Sequence, residues 1–163
     1  MVPKSNPETR VARMESWVDE VTDKAIGAAI EVHRRLGPGL MESVYEECLC
    51  YELQQAGLWF QRQVQLPITY KGIKLDAGYR MDVVVADAVV LELKAVESLL
   101  PVHSAQLLTY LKLSGKSVGL LLNFNETTLR KGLRRLVYRF ESGAPSIPET
   151  QQEARRLGVS AVK

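Results

Sequence analysis

A chain of 163 residues with 46% apolar and 25% charged residues has the size and make-up of one globular domain. With 21 Lys and Arg against 19 Asp and Glu the formal charge is +2, so bulk charge singles out no partner. These values exclude a disordered chain, a collagen-like chain and a disulfide-stapled miniprotein.

Residues 1–16 are polar, carry two prolines and read as a loose leader. They have no continuous apolar stretch of the kind a secretory signal needs, and no apolar run later in the chain approaches the roughly 18 residues of a membrane span. A working domain is expected over 17–140. Residues 141–163 lose the hydrophobic pattern and read as a tail, with a short helix near 149–157. Val18, Val21, Ala25, Ala28, Ala29 and Val32 recur at helical spacing, and Leu36-Gly37-Pro38-Gly39 stops that helix. A second helix covers 41–56, with Val44, Tyr45, Leu49 and Leu53 at helical spacing. Cys48 and Cys50 lie on different sides of it without Cys or His companions. They read as small buried side chains rather than as a zinc site or a disulfide, in keeping with a reducing cytoplasmic location.

Strands come next. From Phe60 to Tyr70 the even-numbered residues Phe60, Arg62, Val64, Leu66, Ile68 and Tyr70 are expected on one face, with Gln61, Gln63 and Gln65 on the other. Lys71-Gly72 is a turn. Two β-branched runs, 78–85 and 88–96, form a hairpin around Asp87. A helix over about 99–114 tolerates Pro101 in its first turn. Residues 117–123 read as a buried strand. Residues 127–140 read as a basic amphipathic helix. The order predicts an α/β fold with a mixed central β-sheet flanked by α-helices.

The hairpin raises a chemical question. With Asp87 at the centre of a three-residue loop, Val85 pairs with Val89, Val84 with Val90, and Asp82 stands opposite Glu92. Alternation puts Asp82, Val84, Val90, Glu92 and Lys94 on one face, and Met81, Val83, Val85, Leu91 and Leu93 on the other. Two opposed carboxylates repel, and apolar neighbours make the charges costlier. A proton on one acid, a bridging Lys94 or a divalent cation would each relieve the repulsion, as would plain exposure to water. Two helices bring further polar groups. His103, Gln106, Leu107 and Tyr110 share one stripe, and Glu42, Tyr45, Glu46, Leu49 and Leu53 share another. Glu42 and Glu46 could equally serve only to stabilise the positive end of their helix.

These residues resemble a known group. Gly39-Leu40-Met41-Glu42-Ser43-Val44-Tyr45 is the signature of the GxxExxY proteins, and the flanking EVHRRLGPGL (31–40) and LLLNFN (120–125) are similar too. That group is placed in the PD-(D/E)xK nuclease superfamily, whose core motif resembles Asp82 followed by Glu92-Leu93-Lys94. Gln106 to Tyr110 resembles the QxxxY helix of the RecB nuclease domain. Met81 stands where the motif has proline. The resemblance implies a restriction-endonuclease-like core and a metal-dependent nuclease acting on DNA ahead of RNA. It further implies Mg²⁺ or Mn²⁺ on Asp82, Glu92 and Glu42, a catalytic role for Lys94, and Gln106 and Tyr110 fixing Lys94 or the substrate. Glu46, His33, His103 and Tyr45 are secondary candidates.

Arg130, Lys131, Arg134, Arg135 and Arg139, gathered on the last predicted helix, are the expected nucleic-acid contacts, unless they form an ordinary solvated face. A nuclease-fold module that binds nucleic acid or protein without cutting is the alternative reading. A retaining glycosidase, which also uses two close carboxylates, fits poorly with 7% aromatics and an adjacent lysine. No membrane partner is expected, and a homodimer is compatible with the resemblance.

Overall fold

The computed structural model describes residues 6–140, without the side chains of Asp76 and Ala77. The tail from 141 and its expected helix lie outside the described residues. Helix α1 (Pro7–Leu36) begins inside the segment expected to be a loose leader. Pro7 occupies its first turn, and the Asn6 side chain accepts the Glu8 amide at 3.3 Å. Its first turns are exposed and bury nothing, so the apolar period that marks the helix in the sequence starts only where the core does, at Val18 and Val21. Helix α2 (Glu42–Gln55) follows the loop at Gly37–Met41.

Strands β1 (Phe60–Tyr70), β2 (Ile73–Val85) and β3 (Val89–Lys94) form an antiparallel meander. Helix α3 (Pro101–Ser114) carries the chain across to β4 (Val118–Asn123), which runs parallel to β3. A single turn, α4 (Leu129–Gly132), leads into β5 (Leu133–Val137), antiparallel to β4. The five strands lie in chain order in one mixed sheet. Helices α1 and α2 cover one face through Val21, Ala25, Ala29, Leu49 and Leu53 packed on Val83, Leu91, Leu93, Leu120 and Leu122. Helix α3 covers the other, with Leu107, Tyr110 and Leu111 on Val84, Val90 and Leu121. Strands β3 and β4 are buried on both sides, which is why they read as continuous apolar runs.

Two expectations are corrected. The basic helix over 127–140 is one helical turn and a strand. Leu133, Leu136 and Val137 fit either period, but the outer edge of buried β4 has backbone groups to pair, and β5 pairs them. Gly132 marks the change: a Cβ there would run into the Asn123 carbonyl oxygen. The second correction concerns the faces of β1 and β2. Arg62 and Val83 belong to the α2 side, whereas Val64, Leu66 and Met81 pack on the α3 side. The pleat changes phase between them, at Gln63 and Asp82. Gln63 has φ +50°, and the pairing of β1 with β2 skips from Arg62↔Val83 to Val64↔Met81. Met81 therefore does not share the face of Val83, and Phe60 to Tyr70 is not one continuous stripe.

Candidate active site

The hairpin register is the expected one, Val85↔Val89, Val84↔Val90 and Val83↔Leu91, around Ala86 and Asp87 at positive φ. Beyond Val83 the ladder opens. The Leu93 amide, instead of meeting a backbone carbonyl of β2, donates to Asp82 Oδ2 at 2.8 Å. The Asp82 carboxylate thus fills the fork between two diverging strands, with Glu92 at the next position of β3. Lys94 Nζ donates to Glu92 Oε1 at 2.9 Å. Glu92 Oε2 has no partner at all, and it is the one such buried side-chain atom among the described residues.

The electrostatics follow from burial. Glu92 is 3% exposed. Burial first, and the Asp82 charge second, push its carboxyl up to about 7, against the opposing pull of Lys94. Burial raises Asp82 as well, opposed by the Leu93 amide and Lys94. Burial would lower Lys94, but its bond to Glu92 and the charges of Glu92, Glu42 and Asp82 outweigh it, so the ammonium is held firmly charged. The fork is a strongly acidic pocket with one fixed cation.

Helix α2 contributes from its first turns. The Tyr45 hydroxyl donates to the Gly37 carbonyl at 2.6 Å and accepts the Leu40 amide at 3.1 Å, tying down the loop that precedes the helix. Its ring stacks on Phe124 at 4.5 Å. Gly39 takes φ +101°, a conformation that costs glycine little. So anchored, Glu42 Oε1 accepts the Ala95 amide at 3.2 Å, directly after Lys94. Buried Glu46 accepts from Arg62 Nε at 2.9 Å and Gln63 Nε2 at 2.6 Å. From α3, Gln106 Nε2 donates to the Tyr110 hydroxyl at 2.8 Å. Burial, then the Glu92 and Asp82 charges, push that phenol up to about 12. Tyr110 is therefore a neutral group facing the acids.

The match to a protein-family profile, described as the PD-(D/E)XK nuclease superfamily, spans residues 19–136. The chain belongs to that superfamily. No curated protein and no solved structure matches it. The mixed sheet flanked by helices is the restriction-endonuclease-like fold of such a nuclease-type protein. Among the described residues no helix is long and apolar enough to cross a membrane.

Within this PD-(D/E)XK fold, Asp82, Glu92, Lys94, Glu42, Glu46, Gln106 and Tyr110 gather at the fork, while other candidates do structural work. His33 is buried against Phe124 and bonds the Glu126 carbonyl at 2.8 Å, holding the loop after β4. His103 Nδ1 accepts the Leu100 amide at 3.0 Å and caps α3. The five basic residues do not form one surface. Arg135 pairs with Asp19 of α1 at 2.6 Å, and Arg134 lies on the opposite face of β5 with its guanidinium on the Lys131 and Leu133 carbonyls.

Two residues escaped the sequence reading. Gln63 stands at the phase change opposite Asp82, and only its place in a run of alternating glutamines hinted at anything. Asn123, fully buried, accepts the Val96 amide at 3.0 Å and donates to the Val96 carbonyl at 2.9 Å, clamping the chain that leaves β3. An amide closing an apolar strand was its signal. The donor set suits a hard divalent cation: carboxylate oxygens, among them the buried and unpartnered Glu92 Oε2. Among the described residues, however, no three acidic, His or Cys side chains converge as ligands, so Glu42 does not close with Asp82 and Glu92 into the expected trio.

Proposed function

We propose that this chain is a GxxExxY-type nuclease that hydrolyses DNA phosphodiester bonds, with RNA the weaker substrate, in a reducing cytoplasm. The observation that carries the reading is the fork itself: Asp82 and Glu92 side by side, Lys94 on one Glu92 oxygen, and the other oxygen buried without a partner. A proton, a hydrogen-bond donor or a cation would satisfy that oxygen, and the neighbouring carboxylate of Asp82 favours the cation.

Asp82 and Glu92 would hold Mg²⁺ or Mn²⁺, with exposed Glu42 a further carboxylate whose charge acts on both. When bound, such an ion neutralises charge on a phosphodiester and lowers the pKa of a water. The chain's own groups do the rest. Lys94, charged and half-buried, orients the attacking water and offsets negative charge gathering on the phosphate oxygens. The Leu93 amide keeps Asp82 aimed into the fork. Tyr110, held by Gln106, stays protonated and offers a hydrogen bond to Glu92 or the substrate. Tyr45 fixes the loop that positions Glu42.

A second reading, a fold that binds nucleic acid or protein without cutting, draws on Glu42 and Glu46 both being engaged by protein groups. One experiment separates the two. Purified protein is incubated with Mg²⁺ or Mn²⁺ and linear, nicked or single-stranded DNA, beside Lys94→Ala and Asp82→Ala, and Mn²⁺ binding is measured by calorimetry. Hydrolysis is expected from the native protein. Lys94→Ala is expected to lose turnover by about 10³-fold while keeping Mn²⁺, and Asp82→Ala to lose both. Wild-type Mn²⁺ affinity in Asp82→Ala would overturn the site, and Mn²⁺ binding without turnover on any substrate would favour the second reading.

A further inference from the structure

The β1–β2 ribbon outruns the rest of the sheet. Strand β3 pairs with β2 only at 83–85, so the ribbon from about Leu66 and Tyr79 to its Lys71-Gly72 turn has no third strand. The pairing slips between Leu66 and Ile68, at Pro67, and the ribbon bends there. A Cβ on Gly78 would lie 2.8 Å from the Leu66 carbonyl oxygen, so glycine allows the close approach. The bend opens a concavity of about 510 Å³ lined by Gln65, Pro67, Lys74, Gly78 and Arg80 among others.

The charge of the ribbon is one-sided. Lys71, Lys74 and Arg80 are exposed, and none of them has a carboxylate partner among the described residues. Between Gln65 and Arg80 the sequence sets these three cations against one acid, Asp76. Lys74 and Arg80 both line the concavity, on either side of Gly78 along the chain. Arg80 precedes Asp82 by two residues, about 7 Å of strand. At the root of the ribbon the Tyr79 ring packs against Tyr110 at 5.5 Å. The root of the ribbon therefore adjoins the carboxylate fork, with Tyr79 and Arg80 on its two faces.

We propose that this bent ribbon is the DNA-docking arm of the protein, with Lys71, Lys74 and Arg80 on the phosphate backbone of a duplex whose adjoining phosphate reaches the fork. A free two-stranded ribbon has the width that the major groove admits. A second copy of the arm would bring like charges together, so a polyanion fits this surface better than self-association. This replaces the expected basic helix as the nucleic-acid contact, and it rests on the reading of the fork as a DNA-hydrolysing site.

The test is the affinity of the full chain for a blunt duplex in EDTA, by fluorescence anisotropy over a salt series. Native protein is compared with the triple variant K71A/K74A/R80A and with R130A/K131A. The triple variant, exposed at all three positions, is expected to keep its circular dichroism and its Mn²⁺ binding. Its affinity should drop by about tenfold or more, and its log–log salt slope should shrink by about 2 to 3. The R130A/K131A variant should bind like the native protein. Undiminished binding and slope in the triple variant would overturn the arm even if the protein cuts DNA. So would tighter binding to single strands or RNA, or a dimer in sedimentation that the triple substitution dissociates. Arm-dependent duplex binding without hydrolysis in Mn²⁺ would leave the arm standing and overturn the nuclease reading instead.

Discussion

Glu92 illustrates how one side chain can be costly to the fold and useful to a site. Its carboxyl rises from an ordinary 4.5 to about 7 because it is buried beside Asp82. The folded state therefore holds this proton more tightly than the unfolded chain does. The stability is fully present below about pH 4.5 and is lost as pH climbs through 7. The rise from 4.5 to about 7 corresponds to roughly 3 kcal/mol, and Asp82, raised too, acts in the same direction. Urea denaturation in EDTA should show that loss between pH 5 and pH 8, and Glu92→Gln should largely flatten it; an unchanged slope in the variant would disprove the assignment. Divalent metal should restore the native protein at pH 8 and leave Glu92→Gln unaffected. Tyr45→Phe removes two hydrogen bonds from the 37–40 loop. It should cost about 1–2 kcal/mol in the same denaturation and weaken Mn²⁺ binding only if Glu42 takes part in it.

At the level of elements, the outer edge of the sheet rests on one glycine. Gly132→Ala would drive a methyl group against the Asn123 carbonyl, and that backbone also presents the Asn123 side chain to Val96. Loss of about 2–3 kcal/mol is expected, read as a lowered urea midpoint. Asn123→Ala should cost a similar amount by leaving the Val96 amide and carbonyl unpaired. This junction is also where sequence reading failed. Leu129, Leu133, Leu136 and Val137 satisfy a helical period, and only Gly132 inside it argued otherwise. The need of β4 for an outer neighbour is a tertiary demand with no local trace. The register of the hairpin from Val83 to Leu91 was legible because a one-residue slip would turn its acids to the buried face. The phase change at Gln63 was not, since a non-glycine residue at positive φ leaves no compositional mark. Glu42 and Tyr45 could be recognised as a motif, but their division of labour, one on the Ala95 amide and one on the loop, needed the packed helix.

Across the whole molecule, two layers of helix grip a sheet whose ends differ in purpose. The first turns of α1 project from the core with Val11, Met14 and Trp17 exposed. Removing residues 1–13 should change the unfolding free energy from urea denaturation by less than about 1 kcal/mol, whereas cutting into Val21 or Ala25 should unfold the domain. The opposite extremity is the β1–β2 ribbon, which leaves the core at the register shift between Leu66 and Ile68, beyond the last contacts of Leu66 and Met81 with α3. Beyond that shift the two strands pair only with each other, so residues added or removed in pairs around Lys71-Gly72 would alter reach without shifting a single acid in the fork. A lone insertion below Leu66 would instead swing Asp82 out of line. The molecule thus divides into a fixed base that holds the acids and a tip whose length can change independently of them.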